Sequence, residues 1–289
     1  MNIKRVGVIG TGMMGAGIAE VAARAGFEVV VRGRSKASAD GCVTTMEKSL
    51  ARLVDKDKLS ADERDATLSR VRAVTDLGEL ELCDLVIESV VEDLAAKQQV
   101  LAELDGICGE EAILATNTST LPVVELAMSV LRPDRVCGLH FFNPAPVMPL
   151  IEVVPALTTS EDTIDTVWSF ATECGKTPVR VKDQAGFIVN ALLFPYLNGA
   201  VRMLESSVAS KDDIDTAMRG GCGFPLGPFQ LLDLVGMDTS VAILDTLYEE
   251  RREPACVAAP LLRHMVTAGQ LGRKSGDGFY DYENTASSR

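Results

Sequence analysis

The sequence predicts an α/β fold in which a doubly wound, mostly parallel sheet is followed by a smaller, all-helical C-terminal domain. Short apolar runs alternate with helical segments as far as about Val181, and helical periods dominate beyond it. A glycine-rich turn also joins the first apolar run to the first helical segment. The 289 residues exceed the usual size of one domain, so two domains are expected.

The N-terminal domain begins with a strand, a tight glycine turn and a helix. Residues 5–10 are a short apolar run, the helix-favouring stretch that follows ends at Gly26, and Glu28–Arg32 is a second, valine-rich strand. Two strands joined by a helix of this length form a right-handed parallel unit.

Two helices are predicted next, because residues 38–58 are strongly charged and Ser60-Ala61-Asp62-Glu63 is a capping box for a helix through Arg70. They interrupt the alternation of strands and helices, so we interpret residues 38–70 as an inserted helical pair that projects from the sheet. Three further apolar runs complete the sheet, namely Leu85–Glu88, Ile113–Thr116 and residues 136–139.

We place the domain boundary near Asp183, which gives predicted domains of residues 1–183 and 184–289. No convincing strand follows this boundary. Val189–Glu205 is predicted to be one long helix with a kink or local break at Pro195.

Composition and charge exclude several classes of protein. Hydrophobic residues make up 47% of the chain and charged residues 24%, which is typical of a globular protein. The 28 Lys and Arg residues are scattered among 41 Asp and Glu residues, with a formal net charge of −13, so no nucleic acid partner is expected. The longest uncharged stretch, residues 186–201, is too short to span a bilayer, so no membrane association is expected.

The seven cysteines are spread singly along the chain, with no C-x-x-C pair. We therefore expect reduced thiols, a cytoplasmic protein without a secretory leader, and no metal site.

The motif Gly10-x-Gly12-x-x-Gly15 stands between the first strand and the first helix. In such a loop the first glycine permits the tight turn and the second lets backbone amides approach a pyrophosphate. The third allows the helix to pack closely on the strand. The sequence thus predicts a Rossmann-type dinucleotide site with Gly10, Gly12, Met13, Met14 and Gly15 at the cofactor.

The residues after the second strand indicate which dinucleotide binds. An acidic residue is expected there to bind the adenine ribose, but the sequence has Gly33, followed by Arg34 and Ser35. Glycine has no group for the ribose hydroxyls, whereas Arg34 and Ser35 could hold a 2′-phosphate. This segment favours NADP(H) over NAD(H). The alternative is an exposed turn, with the cofactor chosen elsewhere in the chain.

Of the two histidines, His140 is the candidate for catalysis. It directly follows a predicted parallel strand, and α/β sites form at the carboxyl ends of such strands. Oxidation of an alcohol by hydride loss requires a base for the hydroxyl proton, and an imidazole suits that task near neutral pH. His264 lies in a helical run and is interpreted as a surface or packing residue.

Several motifs in order along the chain resemble one known family. They are residues 10–17, Asn117-Thr118-Ser119, His140-Phe141-Phe142-Asn143-Pro144, residues 186–190, Gly227-Pro228, residues 233–236 and residues 272–280. Over essentially its whole length the sequence resembles the 3-hydroxyacyl-CoA dehydrogenase family, especially the single-function bacterial 3-hydroxybutyryl-CoA dehydrogenases.

The resemblance implies roles for four residues. His140 would be the catalytic base and Glu152 its carboxylate partner, while Ser119 and Asn190 would hydrogen-bond the reacting oxygen or the thioester carbonyl. The alternatives are a strand-end cap for Ser119, a solvated strand residue for Glu152 and a helix N-terminal amide for Asn190.

Further contacts are implied by the same resemblance. Cofactor contacts would be Glu92, Lys97, Asn143 and Lys274, and coenzyme A contacts would be Ser49 and Lys56 on the inserted helices. Each would otherwise be an ordinary surface residue. Gly33 departs from the family, which commonly has aspartate there, and residues 223–225 belong to a variable motif, so the shape of the acyl pocket stays open.

The implied activity is reversible oxidation of a short-chain L-3-hydroxyacyl-CoA by a homodimer that associates through the C-terminal domain. One alternative is the same chemistry on a free hydroxy acid or on an acyl group bound to a carrier protein. Another is a dinucleotide-binding protein without catalysis. The acyl chain length, the physiological direction and the oligomer number stay open.

Overall fold

The computed structural model describes residues 2–282. They form two compact units, one ending at Gln184 and the other beginning at Ala185, next to the predicted boundary at Asp183. Each unit has its own buried apolar cluster.

The first unit is built on one sheet of eight strands. The strands are β1 (Arg5–Ile9), β2 (Glu28–Arg32), β3 (Val71–Val74), β4 (Leu85–Glu88), β5 (Ile113–Thr116), β6 (Val136–Phe141), β7 (Leu150–Pro155) and β8 (Thr177–Arg180). Their order is β3-β2-β1-β4-β5-β6-β7-β8, and all neighbours are parallel except β6 and β7. The chain winds outward from β1 in both directions, which confirms the doubly wound fold. The order reverses between β1 and β4, where ligands bind in such sheets.

Six helices accompany this sheet: α1 (Met13–Arg24), α2 (Lys36–Val54), α3 (Ala61–Ser69), α4 (Leu94–Asp105), α5 (Val123–Ala127) and α6 (Glu161–Glu173). The pair α2 and α3 forms the connection between β2 and β3. Cys42 and Met46 of α2 belong to the core cluster, so this helix packs on the unit rather than only projecting from it. Ser60 and Glu63 form the predicted capping box of α3.

The edge strands β3 and β8 do not follow from the hydrophobic pattern. All their residues are at least partly exposed, and each strand carries an arginine, Arg72 in β3 and Arg180 in β8. Edge strands pair on one side only and are often blunted by charges, so their sequences lack a continuous apolar run.

The second unit contains five α-helices among its described residues: α7 (Val189–Glu205), α8 (Lys211–Cys222), α9 (Pro228–Val235), α10 (Met237–Arg251) and α11 (Pro260–Thr267). An all-helical C-terminal domain is thereby confirmed. The helical assignment of α7 continues through Pro195, so the helix has the predicted bounds without a local break. Nowhere in residues 2–282 is a helix both long and apolar enough to cross a membrane.

The motif at residues 272–280 packs on the buried carboxylate of Asp233 in α9. Asp233 accepts hydrogen bonds from the N–H groups of Phe279 and Tyr280, at 2.8 and 2.9 Å. A Cβ on Gly272 or Gly278 would lie 2.4 or 2.2 Å from atoms of Asp233. The glycines therefore allow the terminal segment to lie directly against α9.

Candidate active site

Two glycines of the loop after β1 are required by close packing of the chain on itself. Gly10 has a φ of +112°, and a Cβ there would lie 2.2 Å from the carbonyl oxygen of Ser89. A Cβ on Gly15 would lie 1.9 Å from the carbonyl oxygen of Gly10. Because these contacts are with backbone atoms, a side chain at Gly10 forces the loop away from the segment after β4, and one at Gly15 forces α1 away from the loop.

Gly12 has a different environment. It caps α1 without a side-chain hydrogen bond, and no atom lies within 4 Å of the Cβ position it leaves empty. The first turn of α1 has no acidic side chain; there Met13 is exposed and Met14 packs partly on the core. A helix N-terminus with free N–H groups and an open glycine face suits a pyrophosphate, so the loop fits a dinucleotide.

The turn after β2 packs tightly against the start of α2. A Cβ on Gly33 would lie 2.7 Å from both the Ser38 hydroxyl oxygen and the Ala39 nitrogen, so this turn has no room for an aspartate in its present shape. Ser35 caps α2, and its hydroxyl accepts a hydrogen bond from the Ser38 N–H at 3.2 Å. Arg34 is exposed beside it.

Glu92 holds the loop that follows β5. Its Oε1 accepts hydrogen bonds from the Thr118 hydroxyl at 2.6 Å and the Ser119 N–H at 2.8 Å, with longer ones from the Ser119 hydroxyl and from Thr120. Burial alone raises the pKa of the Glu92 carboxyl, but the charge of Lys97 and these hydrogen bonds outweigh it and lower the pKa below its ordinary value. Glu92 is thus an ionised carboxylate that fixes the backbone of Ser119.

Lys97 is buried, which corrects its interpretation as an ordinary surface residue. Its side chain on α4 is 1% exposed, and its Nζ donates to both carboxylate oxygens of Glu88, at 2.8 and 3.1 Å, and lies 3.3 Å from Oε2 of Glu92. Glu88, fully buried at the end of β4, also accepts from the Thr116 hydroxyl at 2.8 Å and the Val90 N–H at 2.6 Å. These partners satisfy the requirement for burying charge.

His140 and Glu152 form a buried pair at the carboxyl end of β6. They face each other in the antiparallel register of β6 and β7, so both side chains lie on one face of the sheet. His140 Nδ1 lies 2.7 Å from Glu152 Oε2, and the side chains are 8% and 0% exposed. This burial excludes the interpretation of Glu152 as a solvated strand residue. The ring of Phe142 packs against the imidazole, with 4.5 Å between centroids.

The carboxylate determines what the imidazole does. With Nδ1–H donating to Glu152, the ring takes the tautomer in which Nε2 is the basic nitrogen. The buried negative charge also stabilises the imidazolium that forms when Nε2 accepts a proton. His140 therefore has the partner and the orientation of a general base.

Asn117 ties the loop after β5 to β6, because its Oδ1 accepts a hydrogen bond from the Phe141 N–H at 2.8 Å. Ser119 and His140 thus belong to adjacent strand ends joined by this bond. Asn143 follows β6 in an exposed turn.

The two residues predicted to contact coenzyme A lie at the α2 and α3 pair. Ser49 is half-buried on α2. Lys56 is exposed in the turn after α2, which corrects its placement on a helix.

Asn190 and Lys274 belong to the second unit. Asn190 is buried at the start of α7, and Lys274 is exposed and donates from its Nζ to Asp238. His264 is exposed on α11, and no role is assigned to it.

Sequence reasoning missed Glu88, Thr116 and Thr118, which hold the buried network together. A signal for Glu88 was present, because a glutamate that ends a fully apolar run needs a buried partner. In the part of the chain that the structure describes, no three His, Cys, Asp or Glu side chains are grouped so as to hold a metal ion.

The first unit has a glycine loop at the point where the strand order reverses and an imidazole and carboxylate pair at the carboxyl end of β6. This combination is typical of nicotinamide-dependent dehydrogenases. Comparison with known families agrees with this class. Residues 5–184 match the NAD binding domain of 3-hydroxyacyl-CoA dehydrogenase, and residues 186–282 match its C-terminal domain. The chain belongs to the 3-hydroxyacyl-CoA dehydrogenase family.

Individual relatives are similar over nearly the full length. A 3-hydroxybutyryl-CoA dehydrogenase of Mycobacterium tuberculosis is 49% identical over 282 residues, which cover 97% of this chain and 99% of the relative. The crystal structure of M. tuberculosis FadB2 has a TM-score of 0.96 at 48% identity and covers 98% of this chain and 100% of that one. For (S)-3-hydroxybutyryl-CoA dehydrogenase PaaH1 from Ralstonia eutropha the TM-score is 0.95 at 41% identity, with the same coverage.

Proposed function

We propose that this chain catalyses the reversible oxidation of a short-chain L-3-hydroxyacyl-CoA to the 3-oxoacyl-CoA. The preferred substrate in this proposal is 3-hydroxybutyryl-CoA. The observation that carries this proposal is the buried pair of His140 and Glu152, 2.7 Å apart at the end of β6. The names of the relatives in M. tuberculosis and R. eutropha support the choice of substrate.

In the direction of oxidation, Nε2 of His140 accepts the proton of the substrate hydroxyl, and Glu152 stabilises the resulting imidazolium. When bound, the nicotinamide supplies the hydride acceptor. Ser119 and Asn190 hydrogen-bond the reacting oxygen or the thioester carbonyl and fix the reacting carbon. In the reverse direction His140 returns its proton to the developing alkoxide.

The loop of Gly10, Gly12, Met13, Met14 and Gly15 holds the pyrophosphate of the cofactor, where the open face of Gly12 supports a close approach. The rest of the cofactor is contacted by Glu92, Asn143 and Lys274. Lys97 contributes to cofactor binding through its ion pair with Glu92. Ser49 and the exposed Lys56 contact coenzyme A, whose phosphates a lysine attracts.

An activity matrix that measures each acyl substrate with NADH and with NADPH tests the substrate and the cofactor together. Acetoacetyl-CoA is expected to be reduced faster than longer 3-oxoacyl-CoAs, acetoacetyl-pantetheine, an acetoacetyl carrier protein or free acetoacetate, measured as the loss of absorbance of the reduced cofactor. Cofactor oxidation at background level with acetoacetyl-CoA contradicts the proposal. A higher rate with the carrier protein or with the free acid favours the alternative substrates.

We further propose a preference for NADP(H) over NAD(H). Gly33 offers the adenine ribose no carboxylate, and the exposed Arg34 beside the cap residue Ser35 supports the binding of a 2′-phosphate at this turn. Arg34→Gln is expected to lower kcat/KM for NADPH by roughly tenfold to a hundredfold, the value of a charge-assisted hydrogen bond, and to leave the value for NADH nearly unchanged.

Lys182→Gln is the control for this substitution, because it removes an exposed positive charge elsewhere in the first unit. Two results contradict the NADP(H) preference. One is a parent enzyme with a clearly higher kcat/KM for NADH, and the other is an Arg34→Gln variant in which kcat/KM falls equally for both cofactors.

We also propose that the chain forms a homodimer through its second unit in the cytoplasm. The exposed Leu192 and Met203 lie on one face of α7 with Tyr196, and the ring of Phe224 contacts that of Tyr196. The Tyr196 hydroxyl is buried without a hydrogen-bond partner among residues 2–282. Light scattering is expected to give twice the mass of one chain, and the mass of a single chain contradicts the proposed dimer.

Cell fractionation tests the proposed compartment, and the chain is expected in the cytoplasmic fraction.

A further inference from the structure

The charged side chains at the end of β4 and in the segment that follows it do not balance. Glu88 and Glu92 are two carboxylates, and they share the single ammonium group of Lys97. Glu88 accepts four hydrogen bonds, two from Lys97 and one each from Thr116 and Val90, which suits an ionised carboxylate that has only acceptors. The three side chains therefore carry one net negative charge.

The distances show where this charge lies. Lys97 Nζ is 2.8 and 3.1 Å from the two oxygens of Glu88 but 3.3 Å from the nearer oxygen of Glu92. Glu88 is fully buried, whereas the side chain of Glu92 is 37% exposed. The charge of Lys97 is thus balanced mainly by Glu88, and the excess negative charge is at Glu92, which also holds Ser119.

We propose that Glu88 is a positioning residue that gives the site a preference for the oxidised cofactor, because it keeps Lys97 from neutralising Glu92. This inference rests on the proposed function, in which Glu92 contacts the nicotinamide dinucleotide. The oxidised nicotinamide ring carries a positive charge that the reduced ring lacks. A net negative charge in the cofactor site therefore stabilises the oxidised form more than the reduced form.

Glu88→Gln tests this role, because glutamine keeps the size and the hydrogen-bonding atoms of the side chain and removes its charge. Lys97 then pairs with Glu92 alone, and the net charge becomes zero. The dissociation constants of the oxidised and the reduced cofactor are measured by fluorescence titration of the full chain without acyl substrate. Their ratio is expected to shift roughly tenfold in favour of the reduced form.

The double variant Glu88→Gln with Lys97→Met is the matched comparison. It removes the ammonium as well as the carboxylate, so Glu92 regains its uncompensated charge, and the ratio is expected to return to within roughly twofold of the parent value. Glu79→Gln is the control for replacing a glutamate by glutamine, because Glu79 is a surface carboxylate that pairs with Arg72. It is expected to leave the ratio of the two dissociation constants unchanged.

A purely structural role for Glu88 has a different signature. It weakens the binding of both forms of the cofactor equally, so the ratio of their dissociation constants does not change. That result overturns the proposal, and so does a changed ratio that the double variant does not restore. Thermal unfolding reports whether each variant folds. If Glu88→Gln does not fold, Glu92→Gln removes the same net charge with the Glu88 and Lys97 pair intact, and an unchanged ratio in that variant overturns the proposal.

These titrations involve no acyl substrate, so they are independent of the substrate assignment. A parent chain that binds the cofactor but does not reduce acetoacetyl-CoA contradicts the proposed function and leaves the charge balance testable. A parent chain that binds neither form of the cofactor contradicts both.

Discussion

Replacement of His140 by glutamine is expected to lower kcat by roughly 10²-fold to 10⁴-fold, which is the contribution of a positioned general base. Glutamine keeps a polar side chain of similar reach but has no titratable nitrogen, so proton transfer is lost while the space of the imidazole stays filled. The dissociation constant of the cofactor is expected to change little, because the glycine loop is untouched. Steady-state reduction of acetoacetyl-CoA gives kcat, and fluorescence titration gives the dissociation constant.

Two companion variants make this test specific. Glu152→Gln keeps an acceptor for Nδ1 but removes the charge that stabilises the imidazolium, so a smaller loss of kcat, about tenfold to a hundredfold, is expected. His264→Gln changes an exposed histidine on α11 and leaves turnover at the parent level. Near-parent turnover in His140→Gln means that the base is wrongly assigned. A parent chain that binds cofactor but turns over no substrate supports the interpretation as a non-catalytic dinucleotide-binding protein.

The second large effect is expected at Gly15. Gly15→Ala places a Cβ 1.9 Å from the carbonyl oxygen of Gly10, and backbone cannot move aside as a flexible side chain does. The free energy of unfolding is expected to fall by about 3 kcal/mol, and α1 shifts away from β1, which weakens cofactor binding as well. Chemical denaturation measures the first effect and cofactor titration the second.

Gly12→Ala is the matched control in the same loop. Its Cβ meets no atom within 4 Å, and its φ of −72° suits alanine, so the free energy of unfolding is expected to change by less than about 0.5 kcal/mol. Cofactor affinity is nevertheless expected to fall roughly tenfold or more, because the methyl group occupies the path of the pyrophosphate. Equal destabilisation by the two substitutions, or unchanged affinity in Gly12→Ala, contradicts the assignment of separate roles.

The parts of the fold that were predicted correctly are those encoded by local patterns. A buried parallel strand is a continuous apolar run, and β1, β2, β4 and β5 have this form, with bounds within a residue of those predicted. The capping box at Ser60 is equally local. By contrast, β3 and β8 are partly exposed, and β7 is interrupted by Glu152, so their pairing depends on contacts that a single segment does not encode.

The candidate site follows the same division. His140 was identified from its chemistry and from a predicted place directly after a strand, whereas the structure places it within β6, one residue before the strand ends. Its contact with Glu152 depends on the antiparallel pairing of β6 and β7, which the mostly parallel pattern does not indicate. Lys97 has the sequence context of a solvated helix residue. Its burial follows from Glu88 and Thr116, which come from two neighbouring strands and become partners only when the sheet forms.

The antiparallel ladder between β6 and β7 constrains how this enzyme can change over evolutionary time. A slip of one residue in that ladder would turn the carboxylate of Glu152 to the opposite face and leave the imidazole without its counterion. The connecting segment, residues 142–149, lies outside both strands but is anchored as well, because Ala145 belongs to the core cluster and Lys176 donates to the carbonyls of Ala145 and Met148. Changes between β6 and β7 that keep the proton acceptor intact must therefore preserve both the alignment of the ladder and this anchored connection.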